Sequence, residues 1–91
     1  MKLQWTGRAS LDLARIRDFL FPVNPAAALK TVRALRAAAL KLADHPRMGA
    51  PVERYLPREV RRLIVGQYEI RYEVRETAIL IVRLWHTRED R

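Results

Sequence analysis

Ninety-one residues suffice for one domain with a single modest core, and a 49% aliphatic and aromatic share argues against wholesale disorder. The absence of cysteine excludes a disulfide framework and thiolate metal sites. No apolar run is long enough to span a bilayer or to open a signal peptide, so cytoplasmic residence is the expectation. Eighteen Lys and Arg against ten Asp and Glu give a net charge of +8, and fifteen of the cations are arginine, which points to a polyanion, an acidic protein, or both as partner.

Lys2 to Trp5 is short, alternating and compatible with a strand. Thr6 then offers an N-cap oxygen, and Gly7 to Leu20 reads as a helix whose apolar stripe is Ala9, Leu13, Ile16 and Leu20. On its other faces Asp12 and Asp18 can pair with Arg15 or Arg8, worth about 0.2–0.5 kcal/mol each. Phe21-Pro22 stops this helix. Asn24 caps a second one with Pro25 in its first turn, and from Ala26 to Ala43 the stripe Ala28, Val32, Leu35, Ala39 and Leu42 holds the helical period. Leu29, Ala38 and Leu40 are expected to widen it. So short a connection predicts a helical hairpin.

Asp44-His45-Pro46 ends the second helix, with His45 complementing its dipole. Residues 46–59, rich in proline, read as an irregular connection. Arg61 to Val65 is a candidate strand, joined through Gly66-Gln67, a gap that suits a tight hairpin, to the alternating run from Tyr68. Alternation puts Tyr68, Ile70, Tyr72 and Val74 on the inward face and Glu69, Arg71, Glu73 and Arg75 on the other. Ile79 to Trp85 is apolar nearly throughout, as a central strand covered on both faces requires. The expected architecture is α+β in the order β-α-α-β-β-β: one domain over residues 1–91, a helical hairpin packed on a small, mainly antiparallel sheet, with the first strand at an edge.

The adjacent Arg61 and Arg62 must point to opposite faces of their strand. The face away from the helices, with Arg71 and Arg83, is the better partner surface. Glu69 and Glu73 dilute it, and a solvated ion-pair ladder is the plainer expectation there. Trp85 suits packing better than base stacking, and His86 suits a hydrogen-bonded strand end better than acid–base work. The two histidines are far apart and no carboxylates cluster with them, so no metal is expected and no cofactor is implied.

The order of elements, the run Asp44-His45-Pro46-Arg47-Met48-Gly49, the Arg61-Arg62-Leu63 segment, Tyr68 to Val74, and the ending Ile81-Val82-Arg83-Leu84-Trp85-His86-Thr87-Arg88 together resemble the RelE/ParE toxin superfamily. Ala9, Asp12, Leu13, Ile16 and Asn24-Pro25 fit the same pattern. The resemblance covers essentially the whole chain. It implies a bacterial type II toxin that restrains growth and stabilises plasmids, neutralised by a cognate antitoxin whose acidic C-terminal segment folds on it.

Two activities are implied within the superfamily. RelE-like members cleave mRNA on the ribosome without metal, using basic side chains to stabilise the transition state. Arg62, His86 and Arg88 would be the set here. Against this, the arginine expected after the aromatic of the third strand is Glu69, the position after His86 is Thr87, and the functional tail tyrosine is missing. ParE-like members are implied to inhibit DNA gyrase by binding, with no catalytic residue, and the ending Leu84 to Arg88 is closer to theirs. The residues therefore favour a ParE-like binding toxin over an enzyme. Arg61, Arg62, Arg71, Arg83, Trp85, His86 and Arg88 are its candidate partner-binding residues. A third reading is a non-toxic basic nucleic-acid-binding module, but no signature of sequence-specific DNA recognition is present.

Overall fold

In the computed structural model, which describes residues 1–89, the Thr6 hydroxyl accepts the Ala9 N–H at 3.0 Å and so starts α1 (Gly7–Leu20) directly after β1 (Lys2–Trp5). The Asn24 side chain does the same for Ala27 at 3.1 Å, with Pro25 as the first residue of α2 (Pro25–Asp44). After α2 the chain forms a two-residue strand, β2 (Ala50–Pro51), and a 3₁₀ turn over Glu53–Tyr55. Both lie inside the connection expected to be irregular. Three strands follow: β3 (Val60–Val65), β4 (Tyr68–Val74) and β5 (Ala78–His86). Gly66 sits at φ +60° in the β3–β4 turn, a backbone conformation open to glycine at no steric cost.

The sheet order is β1-β5-β4-β3-β2, with β1 parallel to β5 at one edge and every other pair antiparallel. β5 is thus an interior strand, paired on both sides, while β4 takes the middle position. Both helices pack on one face of the sheet. The core joins Ala9, Leu13 and Ile16 of α1 and Leu35, Ala39 and Leu42 of α2 to Ile70, Tyr72, Ile79, Ile81 and Leu84. Burying each Leu or Ile of that set stabilises the fold by roughly 1.5–3 kcal/mol.

Two expectations are corrected. Leu29 and Leu40 do not widen the core stripe of α2: they are 48% and 63% exposed and belong to its outer face. Nor is the sheet face bearing Glu69, Arg71 and Glu73 a solvated ladder, because all three are buried. The reason is coverage. Tyr55 of the 3₁₀ turn and Trp85 lie against Arg71, and Arg58 folds over Glu73 with two bonds of 3.1 and 3.0 Å.

β5 carries an irregularity. Arg71 of β4 faces Arg83, but the next residue, Tyr72, faces Ile81, so Val82 is an extra residue on β5. Such a bulge frees backbone groups from the ladder. The Thr6 hydroxyl donates to Val82 O at 3.1 Å, and the Leu84 N–H donates to Asp12 Oδ2 at 3.0 Å. The bulge also resets the parity of the strand, so that Ile81 and Leu84, three apart, both face the helices.

Candidate functional site

Asp12 does not sit on an outer helix face, as helical pairing with Arg15 suggested. It is buried beside the bulge, where Arg83 Nε and Nη2 reach its carboxylate at 2.7 and 3.3 Å and Arg15 adds a third cationic contact. Burial by itself would raise the carboxyl pKa. The Arg83 bond, the Leu84 N–H and the Arg15 bond outweigh it and hold Asp12 below the ordinary carboxylate range. Arg58 holds Glu73, and Arg61 holds Glu59, below that range too. The direction of linkage follows. A carboxyl depressed in the folded state contributes stability above its unfolded pKa, and that contribution is lost as pH falls through the folded value. Urea midpoints are expected to stay level from pH 7 to about 5 and to drop steeply below about pH 4, with a shallower drop in Asp12→Asn. Equal midpoints at pH 7 and pH 3 would contradict this.

Asp12 also marks the floor of an apolar groove of about 630 Å³ on the helix side. Its walls include Ile16, Phe19, Tyr68, Leu84, His86 and Arg88. Tyr68 and His86 are register partners, their rings meeting edge to face at 5.2 Å and 82°. Both His86 nitrogens are engaged: Nδ1 accepts the Arg88 N–H at 3.1 Å, and Nε2 lies 3.2 Å from Gln67 Oε1. The first bond requires an unprotonated Nδ1, so the neutral ring carries its proton on Nε2 and donates it to Gln67.

On the opposite side lies a polar cleft of about 600 Å³, lined by Pro51, Val52, Glu53, Arg54, Arg62, Arg71 and Glu89. Arg62 projects into it exposed and without an ion pair among the described residues. Arg61, pointing the other way, is taken up by the 46–52 connection: it bonds Glu59 at 2.8 Å and the Gly49 carbonyl at 2.7 Å. Arg71 is buried, bonded to Glu69 Oε2 at 2.6 Å, with its guanidinium 4.7 Å from the Trp85 ring centre and 6.0 Å from that of Tyr55. Among the described residues its Nε has no hydrogen-bond partner. Arg83 also lies over Trp85, at 5.0 Å. With Trp85 itself buried, packing rather than base stacking is its role.

The structure therefore separates the seven predicted residues. Arg62 and Arg71 line the polar cleft, His86 and Arg88 the apolar groove. Arg83 and Trp85 knit the sheet between them, and Arg61 braces a connection. Sequence reading missed Asp12 as the buried anchor of the bulge, and it missed Tyr55. The Tyr55 phenol is held below its ordinary pKa by Arg54 and then by Arg71, at the margin of the polar cleft. Its only sequence signal is the Arg54-Tyr55 pair inside a proline-rich connection, which no periodicity reads. Among the described residues, no three His, Asp or Glu side chains gather as a metal site requires, and no helix is long and apolar enough to cross a membrane.

Comparison with known proteins adds three findings. The family model described as ParE toxin of type II toxin-antitoxin system, parDE, matches residues 3–91. A protein of Caulobacter vibrioides named Toxin RelE2 is 39% identical over 82 residues, covering 90% of each chain. A solved structure described as the chromosomal ParDE TA system from P. aeruginosa superposes with a TM-score of 0.79 at 28% identity, over 94% of this chain and 95% of that one.

Proposed function

The chain belongs to the ParE toxin family of type II toxin–antitoxin systems, and from that premise we propose that it inhibits DNA gyrase in the cytoplasm by binding rather than by catalysis, until an acidic antitoxin neutralises it. One observation carries the preference for binding. The cations an RNase would gather around a scissile phosphate are divided, Arg62 lining the polar cleft and His86 and Arg88 the apolar groove, with Glu89 common to both. His86, moreover, has both ring nitrogens committed. The test is DNA supercoiling and cleavage by purified gyrase with increasing amounts of toxin. The expected result is loss of supercoiling with linear DNA accumulating. Codon-specific cutting of mRNA on ribosomes with gyrase untouched would overturn the reading.

That second outcome has its own support. Arg54, Arg62 and the depressed Tyr55 phenol share one neighbourhood, and the Caulobacter relative carries the name RelE2. If the chain is a ribosome-dependent endoribonuclease, these residues form its site in place of Arg62, His86 and Arg88.

For the antitoxin, the apolar groove at Phe19, Tyr68 and Leu84 supplies area, and the surrounding cations supply attraction for acidic side chains. Because Arg62 is exposed and unpaired, Arg62→Glu is expected to slow antitoxin association several-fold at 50 mM salt and far less at 500 mM. Association rates by stopped flow that show no salt dependence would remove the electrostatic part of this account.

A further inference from the structure

The strongest unassigned feature is the outer face of α2. Lys30, Arg33, Arg36 and Lys41 all project from it, and among the described residues none makes an ion pair or a side-chain hydrogen bond. Among the described residues Lys2, Arg8, Arg54, Arg62 and Arg88 also stand outside the ion pairs, but each is on a different element. Arg15, Arg58, Arg61, Arg71, Arg75 and Arg83 all spend their charge on carboxylates within the fold. Within α2 the only acid is Asp44, its last residue. From Lys30 to Lys41 the helix advances about 16 Å at 1.5 Å per residue. At 100° per residue the four cations fall within an arc of about 140° centred away from the core. The remaining positions of that arc are Ala26, Leu29, Ala37, Leu40 and Asp44, so the cations surround two exposed leucines and a single carboxylate at the last residue of the helix.

The chemistry of this face selects its occupant. Protein-binding patches are enriched in aromatic residues and depleted in lysine, and α2 contains no aromatic residue at all. Single-stranded nucleic acid needs stacking platforms, and none is present for the same reason. A membrane surface would need a continuous apolar face, and the outer face of α2 offers only Leu29 and Leu40 among its cations. What remains is a rigid, evenly charged polyanion, approached along its length by unpaired Arg and Lys: the phosphodiester backbone of a nucleic-acid duplex.

We propose that the outer face of α2, through Lys30, Arg33, Arg36 and Lys41, binds the phosphate backbone of duplex nucleic acid without reading its sequence. This goes beyond gyrase inhibition and does not depend on it, since the contact is made by the toxin alone.

The test is fluorescence anisotropy with a 20-base-pair DNA duplex and, in parallel, an RNA duplex of the same sequence, titrated with purified toxin between 50 and 200 mM salt. With four phosphate contacts, the slope of log affinity against log salt is expected near −3.6, from about −0.9 per contact. The variant Lys30→Ala/Arg33→Ala/Arg36→Ala/Lys41→Ala is expected to lose at least tenfold in affinity at 50 mM salt and most of that slope. Alanine raises helix propensity at all four positions, so the variant is expected to fold, with circular dichroism as the check. The control Lys2→Ala/Arg8→Ala/Arg17→Ala/Arg47→Ala removes the same charge elsewhere and is expected to lose less than threefold. Equal losses in the two variants, or wild-type binding by the α2 variant, would overturn the proposal. So would an α2 variant that keeps duplex binding and loses antitoxin affinity, which would make the face a protein-docking surface. Stronger binding of one duplex type identifies the source of the phosphates and leaves the site standing. None of these outcomes involves gyrase, so they are separable from the supercoiling result.

Discussion

Asp12→Ala is expected to lower the unfolding free energy by about 3 kcal/mol, among the largest effects of any single substitution in this chain. Without the carboxylate, the Leu84 N–H freed by the bulge is buried with no acceptor, at a cost of about 1–3 kcal/mol. Arg83 loses both of its bonds to Asp12, but its side chain retains 23% exposure and can recruit water, which keeps the total below the upper range for a stranded buried charge. Asp12→Asn keeps an acceptor for Leu84 and is expected to recover about 1 kcal/mol of the loss. Urea unfolding followed by circular dichroism measures both, provided the slope with denaturant is unchanged. A loss under 1 kcal/mol for Asp12→Ala would show that the bulge finds another partner.

Gly49→Ala is expected to be of similar size, by the opposite mechanism. A Cβ at this position would lie 2.6 Å from the Arg62 carbonyl and 2.7 Å from the Tyr72 hydroxyl. The first obstacle is backbone in the middle of β3 and cannot swing away, so overpacking costs about 2–3 kcal/mol, or about 10–20 °C in Tm for a domain of this size. The second obstacle is itself a fastener. The Tyr72 hydroxyl accepts the Gly49 N–H and donates to Pro46 O, both at 2.8 Å, clamping residues 46–49 to the sheet. Tyr72→Phe alone is expected to cost about 1–3 kcal/mol. The two substitutions together are expected to cost clearly less than their sum, because removal of the hydroxyl opens part of the space that the new methyl group needs. Strict additivity by thermal unfolding would mean that the carbonyl contact alone decides.

Most of the fold could be read from periodicity and caps. Thr6 and Asn24-Pro25 mark helix starts through local hydrogen bonding. The stripes of α1 and α2 follow the helical period, and the alternation of Tyr68 to Val74 and the apolar run of β5 both mark strands, although it is β4 that takes the middle place in the sheet. Leu29 and Leu40 lie about 100–120° around the helix from the centre of the stripe, which by itself puts them on the outer face. The other failures share a cause. Arg71, Glu69 and Glu73 look like solvent-facing residues until a 3₁₀ turn far along the chain covers them. Asp12 looks like a helix-surface acid until a bulge at Val82 presents it with an unpaired N–H. Each of these depends on contacts between distant segments, which local pattern cannot report. Of the candidate site, residue identities were legible but not their grouping. Parity correctly divided Arg61 from Arg62, whereas the bulge moved Leu84 and His86 to the helix side and so parted His86 and Arg88 from Arg62.

The place of β5 has a consequence for the life of the protein in a cell. It is the last strand to be synthesised, yet it pairs with β1 on one side and β4 on the other and supplies Ile79, Ile81 and Leu84 to the core. Until it leaves the ribosome, β1 has no partner, Asp12 has no Arg83, and the helical hairpin has nothing central to pack on. A chain in which β5 has not docked thus lacks both the strand that ties β1 to β4 and the Leu84 and His86 walls of the apolar groove.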